Sequence, residues 1–175
     1  MTVIVASVTG AAIGVISQSQ PATKVKMSAF SKDAKRVIAA SGISGKATII
    51  DGDSLTIKGT SIRLHGIDAP EFNQPCWNND VKYNCGHTAT AYLQRLINGQ
   101  TVTCTILDQD AYGREIAKCF TNKNININAQ MVLSGNAIAY LYFSYDYEQE
   151  QAEAKAHKRG LWAGRFMEPY KFRKG

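Results

Sequence analysis

Residues 46–71 read KATIIDGDSLTIKGTSIRLHGIDAPE, and this stretch decides the fold. Three short β-rich runs, Lys46–Ile50, Ser54–Lys58 and Ile62–Ile67, are separated by turns that contain glycine. Alternating apolar side chains between such turns predict β-strands joined as hairpins. Pro70 has no amide hydrogen to donate and restricts the residue before it, so the third strand must end just before this proline. The stretch therefore predicts a meander of three strands.

The remainder of the domain adds two strands and several helices. After a predicted loop at Phe72–Asn84, apolar periodicity and stop signals predict three helices, and alternation predicts two strands. Asp146 and Gln149 form a capping-box pattern at the start of the last helix. Five strands with these helices predict an α+β fold, a five-stranded OB-fold β-barrel with three α-helices, because closure protects the strand edges. The predicted strands are Thr101–Leu107 and Glu115–Phe120, and the helices are Gly86–Asn98, Asn126–Ser134 and Tyr147–Arg159.

The N-terminal region differs in composition from the rest of the chain. Residues 3–16 form an apolar run without a charge, too short for a bilayer-spanning helix, which needs about 20 residues. Residues 1–19 are therefore expected to be a secretory signal peptide or a short membrane anchor, and residues 20–43 a basic linker. A single globular domain would then occupy residues 44–175. This organisation predicts a protein that is secreted, or anchored facing the cell exterior or periplasm.

Overall charge is a weak guide to function in this chain. The net charge is +6, but residues 1–43 hold five basic groups and one acidic group, and the other 132 residues carry only +2. A basic arm can attract phosphate or a membrane surface, or can simply be a solvated linker. The 45% apolar and 19% charged composition excludes a disordered or fibrous chain.

The four cysteines, Cys76, Cys85, Cys104 and Cys119, permit two disulfides with three possible connectivities. Cys104 and Cys119 lie in the two predicted strands, so their pairing is feasible and would leave Cys76 with Cys85. A zinc site of Cys76, Cys85 and His87 is the alternative, but its spacing matches no usual structural zinc pattern. Export would favour disulfides, because the compartment is oxidising.

Five charged residues carry the chemical interpretation. Asp53 follows a tight turn and Asp68 ends a strand one hairpin later, so antiparallel pairing brings both carboxylates to one end of the sheet. Carboxylate oxygens at one point suit Ca²⁺ or Mg²⁺, although an isolated aspartate in a turn usually caps its own backbone. Arg63 could clamp a phosphate, Glu71 could take a proton from water, and Arg114 follows a glycine bend.

Three strings in order, IDGDSLTI, IRLHGIDAPE and DAYGR, resemble those of the staphylococcal nuclease family. The later segments GNAIAYLY and AKAHKRGLW resemble the C-terminal part of that family, so that the similarity spans about residues 44–162. It implies an OB barrel with three helices and a Ca²⁺-dependent nuclease. It further implies cleavage of DNA or RNA, single- or double-stranded, with 3′-phosphate ends.

The resemblance also implies a role for each matched position. Asp53 and Asp68 match calcium carboxylates and Ala69 a backbone calcium ligand, while the catalytic positions are Arg63, Glu71 and Arg114. Substrate contacts are expected from Tyr112, Tyr140 and Tyr142. The chain departs from the nuclease for which the family is named at Ala69 and Ala111, where that protein has threonine and lysine, and in the cysteine-bearing loop.

Two other functions remain open at this stage. An OB barrel can bind nucleic acid after losing catalysis, so a catalytically inactive binding module is the main alternative. Inactive copies typically lose at least one of the five charged residues, and all five are present here. An envelope protein that binds some other ligand is the third class. No obligate protein partner is inferred, and a monomer is expected.

Overall fold

The computed structural model of the protein describes residues 42–175. The expected signal or anchor at residues 1–19 and the expected linker up to residue 41 lie outside the described residues. The first strand begins at Ile43. Within the described range, no helix combines the length and the hydropathy that crossing a bilayer requires.

Ten strands and four α-helices make up the described part of the chain. The strands are β1 (Ile43–Ile49), β2 (Ser54–Ile57), β3 (Thr60–Leu64), β4 (Ile67–Asp68), β5 (Pro75–Asn78), β6 (Val81–Asn84), β7 (Thr101–Gln109), β8 (Glu115–Thr121), β9 (Ile138–Ala139) and β10 (Arg165–Phe166). The helices are α1 (Cys85–Ile97), α2 (Ile127–Leu133), α3 (Glu148–Ala156) and α4 (Pro169–Phe172), with a 3-10 turn at Gly160–Ala163.

Five strands close into a barrel in the order β1-β2-β3-β8-β7. Neighbours are antiparallel except β3 and β8, which pair in parallel and, with the β1–β7 pairing, close the barrel. The barrel and its helices confirm the predicted α+β OB-type fold. Strand alternation puts the apolar side chains of β2 and β3 inside, where each is at most 1% exposed: Leu55, Ile57, Ile62 and Leu64.

Helix α1 covers the barrel with the face that its periodicity predicted. Ala89, Leu93 and Ile97 are buried in the core, and Leu96 packs partly buried against it. Asn84 caps the helix by accepting a hydrogen bond from the backbone amide of His87. This helix therefore buries its predicted apolar face against the barrel core and begins directly after the segment 71–84.

The predicted third strand is split into β3 and β4. Gly66, with φ of 71°, turns the chain between them, and a Cβ at this position would lie 3.1 Å from the ring of Tyr147. Strand β4 then pairs with β9 rather than with the barrel. Because of this turn the chain leaves the barrel sheet after Leu64, and Asp68 lies on β4, next to the barrel strand that carries Arg63.

The prediction of an irregular loop at Phe72–Asn84 was wrong. The segment contains the hairpin β5–β6, which turns at Asn79 and Asp80, both with positive φ. A two-residue turn of this kind favours asparagine, aspartate and glycine, and the Asn79-Asp80 pair is the signal that the prediction overlooked. Strand β10 adds to the hairpin edge to complete a three-stranded sheet.

The helix prediction needs two corrections. A fourth helix, the single-turn α4, begins at Pro169, where the missing amide hydrogen costs nothing at a helix start. The capping box at Asp146 and Gln149 does not form, since α3 begins after Tyr147 without a side-chain cap. The Asp146 carboxylate instead accepts from Lys118 at 2.9 Å and contacts His65 Nε2 at 3.1 Å.

Both disulfides connect neighbouring strands or their ends. Cys104 and Cys119 face each other across β7 and β8 with a Cα–Cα distance of 4.0 Å, and Cys76 is bonded to Cys85. This is the connectivity that the sequence indicated as feasible, because Cys104 and Cys119 lie in the two predicted strands. The zinc alternative is excluded at Cys76 and Cys85, because a disulfide sulfur is no longer a thiolate ligand.

Candidate active site

The two predicted metal carboxylates flank one guanidinium group. Asp53 lies just before β2 and Arg63 lies in β3, and the β2–β3 register pairs Ser54 with Arg63. The Arg63 Nη1 atom donates to Asp53 Oδ1, while Nη2 donates to Asp68 Oδ1 at 3.0 Å. Asp53 is 2% exposed and Asp68 is 0% exposed. The carboxylates are therefore placed side by side under one wall of the barrel.

Asp53 is held by backbone and side-chain donors. The Ala69 amide donates to Asp53 Oδ2 at 2.7 Å and the Ser54 hydroxyl donates to Oδ1 at 3.2 Å. Burial raises the pKa of Asp53 to about 7, although the positive charge of Arg63 opposes this rise. Burial therefore favours the protonated form of this carboxyl group more than water does.

The two carboxylate oxygens of Asp68 differ in their hydrogen bonding. The Oδ1 atom accepts from Arg63 and, at 2.9 Å, from Arg173 Nη1, whereas the buried Oδ2 has no hydrogen-bond partner within residues 42–175. A buried carboxylate oxygen without a partner is costly unless a ligand satisfies it. Two carboxylates at one point fit a hard, oxygen-preferring cation such as Ca²⁺. Among residues 42–175, no three acidic, histidine or cysteine side chains cluster as a metal site.

Glu71 lies three residues after Asp68, with a side chain that is 38% exposed. Its Oε1 accepts from Arg173 Nη1 at 2.6 Å, and its backbone amide donates to Gln74 Oε1 at 3.2 Å. The backbone of this segment packs on the start of α1, where a Cβ at Gly86 would overlap the Glu71 carbonyl. This close packing of backbone on α1 therefore fixes the position of the Glu71 backbone relative to Asp53 and Asp68.

Arg114 is positioned by the turn before β8. Gly113, with φ of 79°, makes the bend, and Asp110 accepts from both the Arg114 amide at 2.9 Å and the Arg114 Nε atom at 2.7 Å. Burial would raise the pKa of Asp110, but these hydrogen bonds outweigh it and hold that pKa below its ordinary value. The carboxylate therefore anchors Arg114 by one edge and leaves its Nη atoms available to an anion.

A cleft of about 750 Å³ joins Arg63, Glu71 and Arg114. Its lining also includes two of the predicted tyrosines, Tyr112 and Tyr140. The other charged or titratable lining residues are Arg173, His65, Asp51, Asp108 and Asp110. Tyr112 is 87% exposed at the rim, and the Arg114 guanidinium lies 5.7 Å from its ring centre. The third tyrosine, Tyr142, is 84% exposed and lies in the adjacent groove with Tyr140, at a ring distance of 6.4 Å.

The structure thus brings the predicted catalytic residues Arg63, Glu71 and Arg114 to one cleft. The predicted metal positions Asp53 and Asp68 lie buried against Arg63, and Tyr142 lies beside the cleft. The sequence interpretation missed two residues of this region, Arg173 and Gln74. Burial disfavours the charged form of Arg173, but hydrogen bonds to Asp68 and Glu71 outweigh this effect and raise its pKa. Arg173 is 105 residues from Asp68 along the chain, so no local spacing could have indicated its position.

Comparison with known proteins agrees with the geometry. A family model described as "Staphylococcal nuclease homologue" matches residues 61–164. An "Uncharacterized endonuclease" of Escherichia coli O157:H7 is 32% identical over 121 residues, which cover 66% of this chain and 73% of that protein. A "Probable staphylococcal-like nuclease" of Oryza sativa subsp. japonica is 34% identical over 70% of this chain and 30% of its own length.

A third relative carries a different kind of name. The "Succinoglycan biosynthesis protein ExoI" of Rhizobium meliloti (strain 1021) is 35% identical over 101 residues, 57% of this chain. The matched region spans only 53% of that protein. The names of the other two relatives support a nuclease function for the shared domain.

Proposed function

Because this chain belongs to the staphylococcal nuclease family, we propose that it is a Ca²⁺-dependent nuclease that hydrolyses phosphodiester bonds of DNA, RNA or both. The observation that carries the proposal is a hydrogen-bonded cluster of charged side chains: Arg63 joins Asp53 to Asp68, and Arg173 joins Asp68 to Glu71. Arg63, Glu71 and Arg173 also line the cleft. We further propose that the P–O5′ bond is cleaved, which leaves 3′-phosphate ends.

Asp53, Asp68 and the backbone carbonyl of Ala69 would hold the metal ion. The partnerless Oδ2 of Asp68 supports this assignment, because it is a buried acceptor in need of a cation or donor. Bound Ca²⁺ would neutralise the charge of the scissile phosphate and polarise one of its P–O bonds. The same two carboxylates would be relieved of mutual repulsion, which is now offset by Arg63.

The arginines would bind the phosphate and stabilise charge that grows on its oxygens in the transition state. Arg114 offers the guanidinium edge that Asp110 leaves open, and Arg63 lines the same cleft from the neighbouring strand. Fixed positive charges in a site of this kind usually supply the largest part of rate enhancement. Removing either arginine should therefore reduce kcat more than substrate affinity.

Glu71 would act as the general base. Its Oε1 is bonded to Arg173, whereas no partner in the described part of the chain holds Oε2, which can accept a proton from a water molecule. The water oxygen would bond to phosphorus as the 5′ oxygen leaves, and that oxygen would take a proton from solvent. A mutation that removes the Glu71 charge should leave the fold intact, since this side chain is 38% exposed.

Stacking would position the bases without reading their sequence. Tyr112, Tyr140 and Tyr142 present rings at the rim of the cleft or beside it, and Tyr112 and Tyr142 are largely exposed. Aromatic faces accept every base, so little sequence preference is expected. We propose nucleic acid as the substrate, in single- or double-stranded form, and a monomer without an obligate protein partner.

We also propose that the protein works outside the cytoplasm, secreted or anchored facing the exterior or periplasm. All four cysteines are in disulfides, and such bonds persist mainly in oxidising compartments. A zinc-independent and thiol-independent site is consistent with this environment.

The first test is hydrolysis of single-stranded DNA by the purified protein with added Ca²⁺ and with excess chelator, beside Glu71→Gln. We expect hydrolysis that needs Ca²⁺ and falls by about 100-fold or more in the variant, the usual range for a lost general base. Mapping the product ends would identify the cleaved bond. Folded protein that binds DNA but leaves it intact in Ca²⁺ would instead favour the inactive binding module.

A further inference from the structure

The chain beyond residue 164 lies outside the matched family region and folds back to the cleft. We call residues 165–175 the C-terminal segment. Its strand β10 pairs with β5, with Arg165 opposite Trp77 and Phe166 opposite Cys76. Farther on, Tyr170 stacks on Tyr140, with ring centres 6.1 Å apart. The segment is thus attached to the disulfide-bonded hairpin at one end and to the cleft rim at the other.

Gln74 joins the C-terminal segment to the loop that carries Glu71. This side chain is 0% exposed; its Oε1 accepts from the Glu71 amide at 3.2 Å, and its Nε2 donates to the Met167 carbonyl at 2.6 Å. The backbone amide of Gln74 donates to the Glu71 carbonyl at 2.8 Å. A buried amide with both ends satisfied couples two segments rigidly, because loss of either bond leaves a polar group unpaired.

The attachment of the C-terminal segment places Arg173 beside Glu71 and Asp68. Arg173 follows α4, and its Nη1 atom lies between Glu71 Oε1 at 2.6 Å and Asp68 Oδ1 at 2.9 Å. In residues 42–175, it is the one side chain that donates to the Glu71 carboxylate. A charged donor shared by a buried and a half-exposed carboxylate restricts the rotation of the exposed one.

We propose that Arg173 is a positioning residue that orients the Glu71 carboxylate for the hydrolysis proposed above. By holding Oε1 against the buried Asp68, it keeps Oε2 directed to the cleft, where the attacking water would lose its proton. The inference rests on the proposed function. It extends that function to a residue outside the matched family region, and it explains why the segment and the hairpin are fastened together.

The test compares Arg173→Gln and Arg173→Lys with Arg165→Gln, a matched control in the same segment whose guanidinium pairs with the exposed Asp80. Kinetics are measured on single-stranded DNA at saturating Ca²⁺. We expect Arg173→Gln to lower kcat by about 10- to 100-fold with little change in KM, because a base displaced by about 1 Å loses that much. Arg173→Lys should recover part of the loss, and Arg165→Gln should match the wild type.

A double-mutant cycle with Glu71→Gln decides whether Arg173 acts through Glu71. In that background Arg173→Gln should have no further effect on kcat. The same cycle on urea unfolding of the metal-free protein provides a readout independent of hydrolysis. There the two single substitutions should be non-additive, since each breaks the same pair. If Arg173→Gln does not fold, Arg173→Lys takes its place in both cycles, because it keeps a positive charge beside Asp68 and changes only the geometry of the donor.

Four results would overturn the inference while the proposed function stands. In Arg173→Gln, a rise in KM with unchanged kcat would make Arg173 a phosphate ligand, and faster hydrolysis would make it an obstruction. A loss of kcat that is equally large in the Glu71→Gln background would show that Arg173 does not act through Glu71. Additive effects of the two substitutions on the free energy of unfolding would show the same. Wild-type protein that hydrolyses no nucleic acid would refute the proposed function itself, which is a different outcome from all four.

Discussion

At Asp53, a carboxyl group is almost fully buried beside a single guanidinium group. Burial outweighs the attraction of Arg63 and raises the pKa of Asp53 to about 7, compared with about 3.9 in an unfolded chain. The folded protein therefore holds a proton that the unfolded chain releases between these two values. The site is destabilising at neutral pH without a metal ion, which is the expected cost of a preformed cation site.

The pH dependence of stability follows from this shift. Stability contributed by the Asp53 proton is complete below about pH 4 and is lost as the pH rises to about 7. Relative to Asp53→Asn, metal-free wild type should lose on the order of 1 to 3 kcal/mol over this range. Urea unfolding of both proteins from pH 4 to pH 8 measures the difference, with the exposed Asp80→Asn as control. Parallel curves for wild type and Asp53→Asn would contradict the assignment.

Between elements, the contact of α1 with the Glu71 loop sets the geometry of the site. A Cβ at Gly86 would overlap the Glu71 carbonyl and lie 2.8 Å from the Phe72 Cα atom. Backbone atoms cannot rotate away as a side chain can, so the loop itself would have to move. The effect of a substitution at Gly86 therefore measures how strongly α1 determines the position of Glu71.

The Gly86→Ala substitution should lower kcat by more than about 10-fold and stability by about 1 to 3 kcal/mol, because overpacking displaces Glu71. Gln94→Ala, on an exposed turn of the same helix, should change neither value. Hydrolysis rates and urea unfolding measured on the same preparations check both expectations. An unaffected kcat with reduced stability would show that the loop can move without displacing the carboxylate.

Across the whole molecule, the two disulfides have similar thermodynamic weight but different positions. They close loops of 9 and 15 residues, for which loop entropy predicts about 2.6 and about 3 kcal/mol. Cys104–Cys119 joins two barrel strands, whereas Cys76–Cys85 closes the hairpin to which the C-terminal segment is attached. Only the second bond lies on the route to Arg173.

Replacing each pair by alanine should therefore separate stability from activity. Both double variants should lose about 3 kcal/mol, but only Cys76→Ala/Cys85→Ala should also lower kcat at a temperature where both proteins remain folded. The barrel pair serves as the control for the hairpin pair. Equal kcat values in the two variants would show that the segment keeps its position without the hairpin disulfide.

Much of the fold was predictable because its signals are local. The turn at Gly59, the alternation of Leu55 and Ile57 and the apolar face of α1 are each contained within a few residues. The β5–β6 hairpin was missed although Asn79-Asp80 is also a local signal, since the segment lacks an apolar alternation. The capping box at Asp146 failed for another reason: Lys118 and His65 compete for its carboxylate from distant elements.

The sequence by itself determined the barrel strands, the first helix and the charged residues at the ends of neighbouring strands, because hairpin register places such residues together. Only the tertiary structure decided that Asp68 is fully buried and that Arg173 reaches it and Glu71. The route to Arg173 runs through the β5–β10 pairing, the Gln74 bridge and the stacking of Tyr170. Each of these contacts joins residues far apart along the chain, and local physical chemistry carries no information on such separations.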